Sequence, residues 1–142
     1  MIDPDVNRLP ETAANPFEGW RLLYLRVLAI LLLLIGLRHW IYIVGVYEEP
    51  GWSFETMSND WRFATINLAV VGLVAAVGLW MNVAWGIVLW AYVVVFEIAM
   101  HTVFADRFGI DLTILAFHGL TAIGYVAIAV MGHRVAHQAS NS

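Results

Sequence analysis

The run VLAILLLLIGL, Val27–Leu37, carries no polar side chain and lies inside a longer apolar segment at about 22–47. A transmembrane helix needs about 20 consecutive, mostly apolar residues. Three further segments of this kind follow, at about 62–81, 85–104 and 112–131. Their apolar residues are continuous rather than alternating, which indicates helices and not the strands of a membrane barrel. The sequence therefore predicts an all-α integral membrane protein with four spans.

The composition of the whole chain supports this prediction. Apolar residues make up 61% of the 142 residues and charged residues only 13%, and the mean hydropathy is +0.76. A small soluble domain cannot bury that much apolar surface within itself. The chain has no cysteine, which excludes disulfide scaffolds, thiolate metal sites and iron–sulfur clusters. Its net charge of −4, with seven Arg and no Lys, argues against nucleic acid as a partner.

Short connections predict how the four spans are arranged. We expect the spans to lie in one domain, 16–132, between a flexible cytoplasmic tail at 1–15 and a cytoplasmic tail at 133–142. Ser58 is the predicted N-cap of the second helix. Only a few residues around Asn82 separate the second and third spans, which predicts a tight antiparallel hairpin. We therefore expect a four-helix bundle of up-down topology with very little mass outside the membrane.

The arginines indicate how this bundle is oriented. Four of the seven flank the membrane domain near the two chain ends: Arg8, Arg21, Arg26 and Arg134. The connection between the first and second spans, and that between the third and fourth, carry one Arg each and more acidic than basic residues. Because cytoplasmic flanks are enriched in Lys and Arg, we expect both termini to be cytoplasmic.

Six polar side chains fall inside the predicted spans. They are Arg38, His39, Asn67, Glu97, His101 and His118. With a rise of 1.5 Å per residue, all six lie about 4–10 Å from the bilayer midplane, on the side away from the cytoplasm. Polar and ionisable residues at such depth are costly to bury and usually face the bundle interior. We therefore predict an intramembrane polar network built from these six residues.

Arg38 and Glu97 are the predicted centre of this network. An unpaired Arg near the bilayer centre costs at least about 2.5 kcal/mol, and a carboxylate at matching depth on the third span is a suitable partner. We expect the two side chains to approach within about 4 Å, with His101 or His118 bonded to one of them. His39 lies about 100° from Arg38 around the helix, so the two cannot share a face.

Glu97, His101 and His118 allow two interpretations. Glu97 and His101 are four residues apart on one face of the third span, and His118 lies at similar depth on the fourth. They could form a cofactor site, with both histidines as the ligands of a haem b, or with a metal held by all three residues. They could instead form a hydrogen-bonded network, structural or proton-linked, that fixes the helix register. We favour the network, without cofactor or metal, because the sequence does not constrain spacing across two helices.

The stretch AVGLWMNVAWGIVLWAYVVVFEIAMHTVFADRFGIDL, Ala76–Leu112, contains a GLW–WG hairpin followed by a helix that carries Glu and His. It resembles an uncharacterised family of four-span bacterial proteins, and the general plan resembles the DoxX-like membrane proteins of bacteria. This resemblance implies a bacterial inner-membrane protein without an assigned activity, and it transfers no catalytic residue.

Known catalytic motifs are missing from the sequence. It contains no phosphate-binding loop, no Ser–His–Asp set and no zinc-protease motif. We therefore expect a non-enzymatic accessory or scaffold subunit of a larger membrane complex, which packs in the lipid bilayer against other integral membrane proteins or further copies of itself. Two alternatives stay open: a haem b or quinone-linked redox subunit that uses His101 and His118, and a proton- or ion-coupled carrier that uses Glu97.

Overall fold

The computed structural model of the chain describes residues 16–46 and 53–140. These residues form four long helices and one short helix, and no strand is found among them. The helices are α1 (Pro16–Val44), α2 (Asn59–Trp80), α3 (Ala84–Thr102), α4 (Ala105–Phe108) and α5 (Leu112–Ser140). The four long helices are each long and apolar enough to cross a membrane. The chain is thus an all-helical, multi-pass membrane protein over the described residues, as its sequence predicts.

The long helices coincide with most of each predicted span and differ from the spans at the ends. α1 ends at Val44, where Gly45 leaves the helix with a φ of +71°. α5 continues through most of the predicted polar tail to Ser140, because that segment contains Ala, Arg and Gln, which favour helix, and no Pro. The predicted tail at 1–15, and residues 47–52 of the first connection, lie outside the described residues.

Polar side chains in the connections determine where two helices begin. The Ser58 hydroxyl accepts a hydrogen bond from the Trp61 amide and caps α2, which confirms the predicted N-cap. The Asp111 carboxylate accepts from the amides of Thr113 and Ile114 and caps α5 in the same way. The connection between α3 and α5 also contains the one-turn helix α4, which was not predicted from the sequence.

Each long helix packs on two of the others. α1 and α3 both contact α2, and both contact α5. α2 and α3 cross at Gly78 and Gly86, where a Cβ atom added to Gly78 would lie 2.5 Å from the Gly86 Cα. α1 crosses α2 at Gly36, where an added Cβ would lie 2.9 Å from the Leu73 side chain. Glycine at these crossings allows the backbones to approach closely, as is common between transmembrane helices.

Contacts along the helices define two ends of the bundle. At one end, the turn end, Arg21 of α1 donates a hydrogen bond to the side-chain oxygen of Asn82 in the α2–α3 turn. Phe17 of α1 and Gly132 of α5 also approach each other there. At the other end, the α4 end, lie the start of α2, the end of α3, α4 and the start of α5. The polar residues predicted to form a network lie nearer to the α4 end.

Candidate functional site

The most buried ionisable side chains meet between α3 and α5. Glu97 of α3 is 6% exposed and His118 of α5 is 1% exposed. The ring N–H of His118 at Nε2 donates a hydrogen bond to the Glu97 carboxylate. Charge-assisted contacts of this kind are stronger than neutral hydrogen bonds. The pair therefore forms a polar link between two helices whose other neighbours are largely apolar.

His39 brings α1 to the same place. Its side chain is buried, and it lies within electrostatic range of the Glu97 carboxylate. α1 thus contributes to the electrostatic surroundings of the buried Glu97–His118 pair, and we call Glu97, His118 and His39 the Glu97 cluster. Arg38, the residue before His39, is exposed. Since consecutive helical residues are about 100° apart, burying His39 turns Arg38 away from the cluster.

The predicted Arg38–Glu97 ion pair is therefore wrong. Glu97 is bonded to His118 instead, and Arg38 lies on the exposed surface of α1. The pair was predicted because Arg38 and Glu97 have opposite charges and similar depths in the membrane. Depth and charge do not determine which of the adjacent residues Arg38 and His39 faces the bundle interior. α1 also ends at Val44, so Arg38 lies about 9 Å from the helix end, and its long side chain can extend towards the polar interface. The companion prediction, that His101 or His118 bonds to one of the pair, is confirmed through His118.

His101 lies one turn after Glu97 and holds the connection that leads to α5. It is 5% exposed, and its Nδ1–H donates to the Gly109 carbonyl oxygen at 2.9 Å. A carbonyl oxygen only accepts, so this bond assigns the ring proton to Nδ1. Gly109 has a φ of +78°, a conformation that favours glycine. His101 therefore stabilises a sharp change in chain direction next to the cluster.

Asn67 lies apart from the Glu97 cluster. It is half-buried on α2, and its side-chain amide donates to the Tyr92 hydroxyl of α3 at 3.1 Å. Hydrogen bonds of this kind between transmembrane helices contribute about 0.6 kcal/mol on average. Of the six polar residues predicted to form one network, the structure brings His39, Glu97 and His118 together, with His101 adjacent, and leaves Arg38 and Asn67 outside.

Two ring nitrogens of the Glu97 cluster lack a hydrogen-bond partner within the described part of the chain. They are His39 Nδ1 and His118 Nδ1, and both are buried. An unsatisfied polar atom in this position costs about 1–3 kcal/mol, so its presence calls for a reason. Because His118 donates from Nε2, the neutral ring keeps an unprotonated, basic Nδ1. A basic nitrogen beside a carboxylate is an arrangement that can bind or relay a proton.

The cofactor interpretations find less support in this geometry. The residues that the structure describes contain no group of three His, Asp or Glu side chains placed to hold a metal ion. A bis-histidine haem needs a ring nitrogen from each residue directed at one iron. His118 Nε2 is directed at Glu97 and His101 Nδ1 at Gly109. The two rings do not fit a haem b site as they stand, because ligation through His118 Nε2 would first break its bond to Glu97.

An acidic cap lies at the α4 end, close to His101. The Ile114 amide donates to the Asp111 carboxylate and holds the pKa of that group below its usual value, against a smaller opposing effect of desolvation. The Thr113 amide and the nearby His101 lower the pKa of Asp111 further. Asp111 is therefore ionised when it caps α5, which suits the positive end of the helix dipole.

Gly109 and Asp111 contribute to the surroundings of His101, and neither was predicted from the sequence as part of the site. Both carry a recognisable local signal, since Gly commonly follows the end of a helix and Asp commonly precedes the start of one. The contact of Gly109 with His101 carries no such signal. It depends on how the connection folds back onto α3.

A sequence comparison places the chain among known families. The model of the family of unknown function DUF6163 matches residues 20–136, which reach into all four long helices. The chain belongs to this family. No curated protein and no solved structure matches the chain. Membership of DUF6163 assigns no activity, and the DoxX-like resemblance stays a prediction.

Proposed function

We propose that this DUF6163 protein is a non-enzymatic, multi-pass protein of the bacterial inner membrane that serves as an accessory or scaffold subunit of a larger membrane complex. The observation that carries the proposal is the unequal burial of the long helices. In its membrane-spanning window only 6% of the α5 residues are fully buried inside the bundle, whereas 50% of the α2 residues are. About half of the α5 residues are partly buried against α1 and α3, and the opposite, exposed face of α5 is left for contact with lipid or with another chain.

The Glu97 cluster supports this role because it attaches α5 without covering it. His118 is the fully buried side chain of α5, and its bond to Glu97 fixes the rotation of the helix. On the outer face, Leu120 and Ile123 are 71% and 68% exposed. A shallow apolar groove of about 480 Å³ runs along this face from Ala122 to Arg134. A helix held by polar contacts on one side, with an open groove on the other, suits packing against a second transmembrane protein.

The proposal includes an up-down bundle with both termini in the cytoplasm. This topology is supported where the start of one helix lies beside the end of the next. Arg21 near the start of α1, for example, donates to Asn82 just after the end of α2. The orientation is supported by charge. The turn end carries three described arginines, Arg21, Arg26 and Arg134, while the α4 end carries more acidic residues than arginines, as the positive-inside rule expects.

Site-specific photo-crosslinking tests the proposed contact face of α5. A photoreactive amino acid replaces Ile123 on α5 or, as a matched control, Leu34 on α1, which is 58% exposed. At native expression levels we expect a discrete protein adduct of defined mass from position 123 and none from position 34. Mass spectrometry of the adduct identifies a different membrane protein or a second copy of this chain. Adducts with lipid alone at both positions would contradict the accessory role.

Single-cysteine labelling tests the orientation, since the chain has no cysteine of its own. Asp106→Cys lies in α4, and Gln138→Cys lies near the end of α5. In intact spheroplasts, a membrane-impermeant maleimide should label Asp106→Cys, and it should label Gln138→Cys only after permeabilisation. The reverse pattern would place both termini outside the cytoplasm. Labelling of both variants in intact spheroplasts would contradict the up-down topology.

A proton-coupled carrier is the second candidate function, and it is favoured by His118 Nδ1, which lies beside Glu97 and has no hydrogen-bond partner among the described residues. In this role the pair binds a proton taken from one side of the membrane and releases it to the other. Proton uptake into proteoliposomes containing a pH-sensitive dye should fall to the level of empty liposomes in Glu97→Gln. Tyr92→Phe, which alters a polar contact outside the cluster, serves as the control. Uptake that is the same in Glu97→Gln and in the unmodified protein would dismiss this candidate.

A further inference from the structure

A groove between α1 and α2 opens to the membrane near the turn end. It has a volume of about 380 Å³, and its lining is apolar: Ala29, Ile30, Leu33, Ala76, Val77, Trp80 and Met81. Residues three or four apart share one helix face, so Leu33, Ala29 and Arg26 follow one another along α1. The groove therefore extends for about 6 Å along α1, and Arg26 lies one turn beyond it, towards the turn end.

The Arg26 guanidinium is held at the mouth of this groove by an aromatic ring. Its Cζ lies 5.5 Å from the centroid of the Trp80 ring, which is a cation–π distance, and Trp80 itself lines the groove. Closer to the turn, Arg21 donates to the side-chain oxygen of Asn82 at 2.9 Å. An indole ring and an amide carry no net charge, so neither contact neutralises its arginine.

The arginines of the α4 end have different partners. Arg107 forms a salt bridge with Asp60 at 3.0 Å, and Arg62 donates to two backbone carbonyls. No carboxylate of the described residues forms a salt bridge with Arg21 or Arg26. Arg21 and Arg26 thus lack a counter-charge from these residues, and they lie beside an apolar groove that opens to lipid.

We propose that this groove and its two arginines bind an anionic phospholipid. One acyl chain lies in the groove between α1 and α2, and Arg26 and Arg21 bind the phosphate at its mouth. The guanidinium group suits this task because its planar set of N–H donors matches phosphate oxygens. A zwitterionic headgroup has a positive group of its own, which weakens the attraction. The site is separate from the Glu97 cluster and independent of the proposed accessory role.

The expected preference can be stated as a ratio of affinities. Each arginine close to an anionic lipid contributes about fivefold in affinity, so two arginines predict a preference of about 25-fold for anionic over zwitterionic lipid. Native mass spectrometry of the full chain in neutral detergent measures this ratio. The probes are dioleoyl phosphatidylglycerol and dioleoyl phosphatidylcholine, which have identical acyl chains and differ in headgroup charge.

Two charge variants locate the site. Arg21→Gln combined with Arg26→Gln should bring the affinity ratio close to one. The matched control, Arg62→Gln combined with Arg107→Gln, removes the same charge from the α4 end and should keep the ratio of the unmodified protein. If the control lowers the ratio as much as the turn-end variant does, the attraction is a property of total charge and the proposal fails.

A third variant separates the groove from the arginines. Val77 lines the groove and is 54% exposed, so Val77→Trp fills the groove from its outer edge without replacing a buried residue. We expect weaker binding of both lipids with the ratio preserved, because the arginines remain. Inorganic phosphate alone should not compete with phosphatidylglycerol, since it has no acyl chain. Competition by phosphate alone, or equal affinity for both lipids in the unmodified protein, overturns the proposal whatever the variants do.

Discussion

α2 and α5 have the same mean hydropathy of 2.0 across their membrane-spanning windows, yet half of the α2 window is buried and only 6% of the α5 window. Hydrophobicity therefore does not decide which helix is enclosed. Most of the buried residues of α2 are small, and small residues let neighbouring backbones approach. α5 also contains glycine, but a Cβ at Gly119 would meet no atom of another helix within 4 Å, and a Cβ at Gly124 would meet the side chain of Tyr24 rather than a backbone. Lipid tails are as apolar as the helix surfaces, so a helix is buried where the shape of its surface fits that of a neighbouring helix.

The two helices are also held by different forces. α2 meets α3 at the backbone-to-backbone crossing of Gly78 and Gly86, where van der Waals contact dominates. α5 is held by polar and aromatic contacts at separate points along its length, including the His118–Glu97 bond, as well as the edge-to-face contact of Trp90 with Tyr125 at 5.4 Å between centroids. We therefore expect substitutions to affect α5 locally and α2 through the whole bundle.

The largest effect is expected from removing one partner of the α3–α5 bond. His118→Leu leaves the Glu97 carboxylate buried without its hydrogen-bond partner and should lower the free energy of unfolding by roughly 3–5 kcal/mol. Replacing both residues, Glu97→Leu with His118→Leu, removes the buried charge and should be far milder. Reversible unfolding in mixed detergent, followed by tryptophan fluorescence, measures both. A double variant as unstable as His118→Leu would show that the lost stability does not come from an unpaired buried carboxylate.

The glycine crossing is expected to give the next largest effect. A Cβ added to Gly86 would lie 2.2 Å from the Gly78 carbonyl carbon, so Gly86→Ala must push α2 and α3 apart, at a cost of about 1–3 kcal/mol. Gly119→Ala on α5 is the matched control. Its new methyl group meets no other helix, and replacing a mid-helix glycine should stabilise the fold by about 0.5–1 kcal/mol. Equal destabilisation by both variants would remove the proposed difference between α2 and α5.

Two tyrosines provide a smaller and more local test. Tyr24 of α1 donates to the Thr121 carbonyl on α5, and Tyr92 of α3 bonds with Asn67 on α2. Loss of either hydroxyl should cost about 1 kcal/mol. In hydrogen exchange, Tyr24→Phe should increase exchange in α5 alone, whereas Tyr92→Phe should leave α5 unchanged. Faster exchange throughout the bundle in Tyr24→Phe would contradict local attachment of α5.

The smallest expected effect is a pH dependence at the start of α5. The pKa of Asp111 is lowered in the folded protein because the Ile114 amide donates to the carboxylate. The unfolded chain therefore binds the proton of Asp111 more readily than the folded protein does. At a pH above the ordinary Asp pKa the cap stabilises α5 fully, and this stabilisation is lost as the pH falls through the lowered pKa of the folded state. Exchange protection of the Thr113 and Ile114 amides, corrected for intrinsic rates, should decrease below about pH 4. In Asp111→Asn this decrease should be absent, and a decrease that persists there would assign the titration to another group.

The polar site illustrates where sequence reasoning ended. Depth along a helix follows from residue number, so Glu97 and His118 could be predicted at matching levels, and a bond from His101 or His118 to Arg38 or Glu97 could be expected. Rotation around the helix does not follow from depth. In α1, a rotation of about 100° separates Arg38 from His39. Arg38 was predicted to face the interior of the bundle, but His39 faces it instead. Burying an imidazole costs less than burying a guanidinium, which is always charged.

The spans and their helical character were readable from the chain alone, because in lipid every backbone polar group must be bonded within its own segment, so a long apolar run can only be a helix. The cap at Ser58 was readable too, since it depends on residues in sequence contact. Which faces of those helices meet depends on side chains far apart in the chain. Three features therefore arise only when the four helices pack: the Gly78–Gly86 crossing, the bond of Glu97 with His118 and the exposed face of α5. Shape and polar pairing between helices select one rotation of each helix.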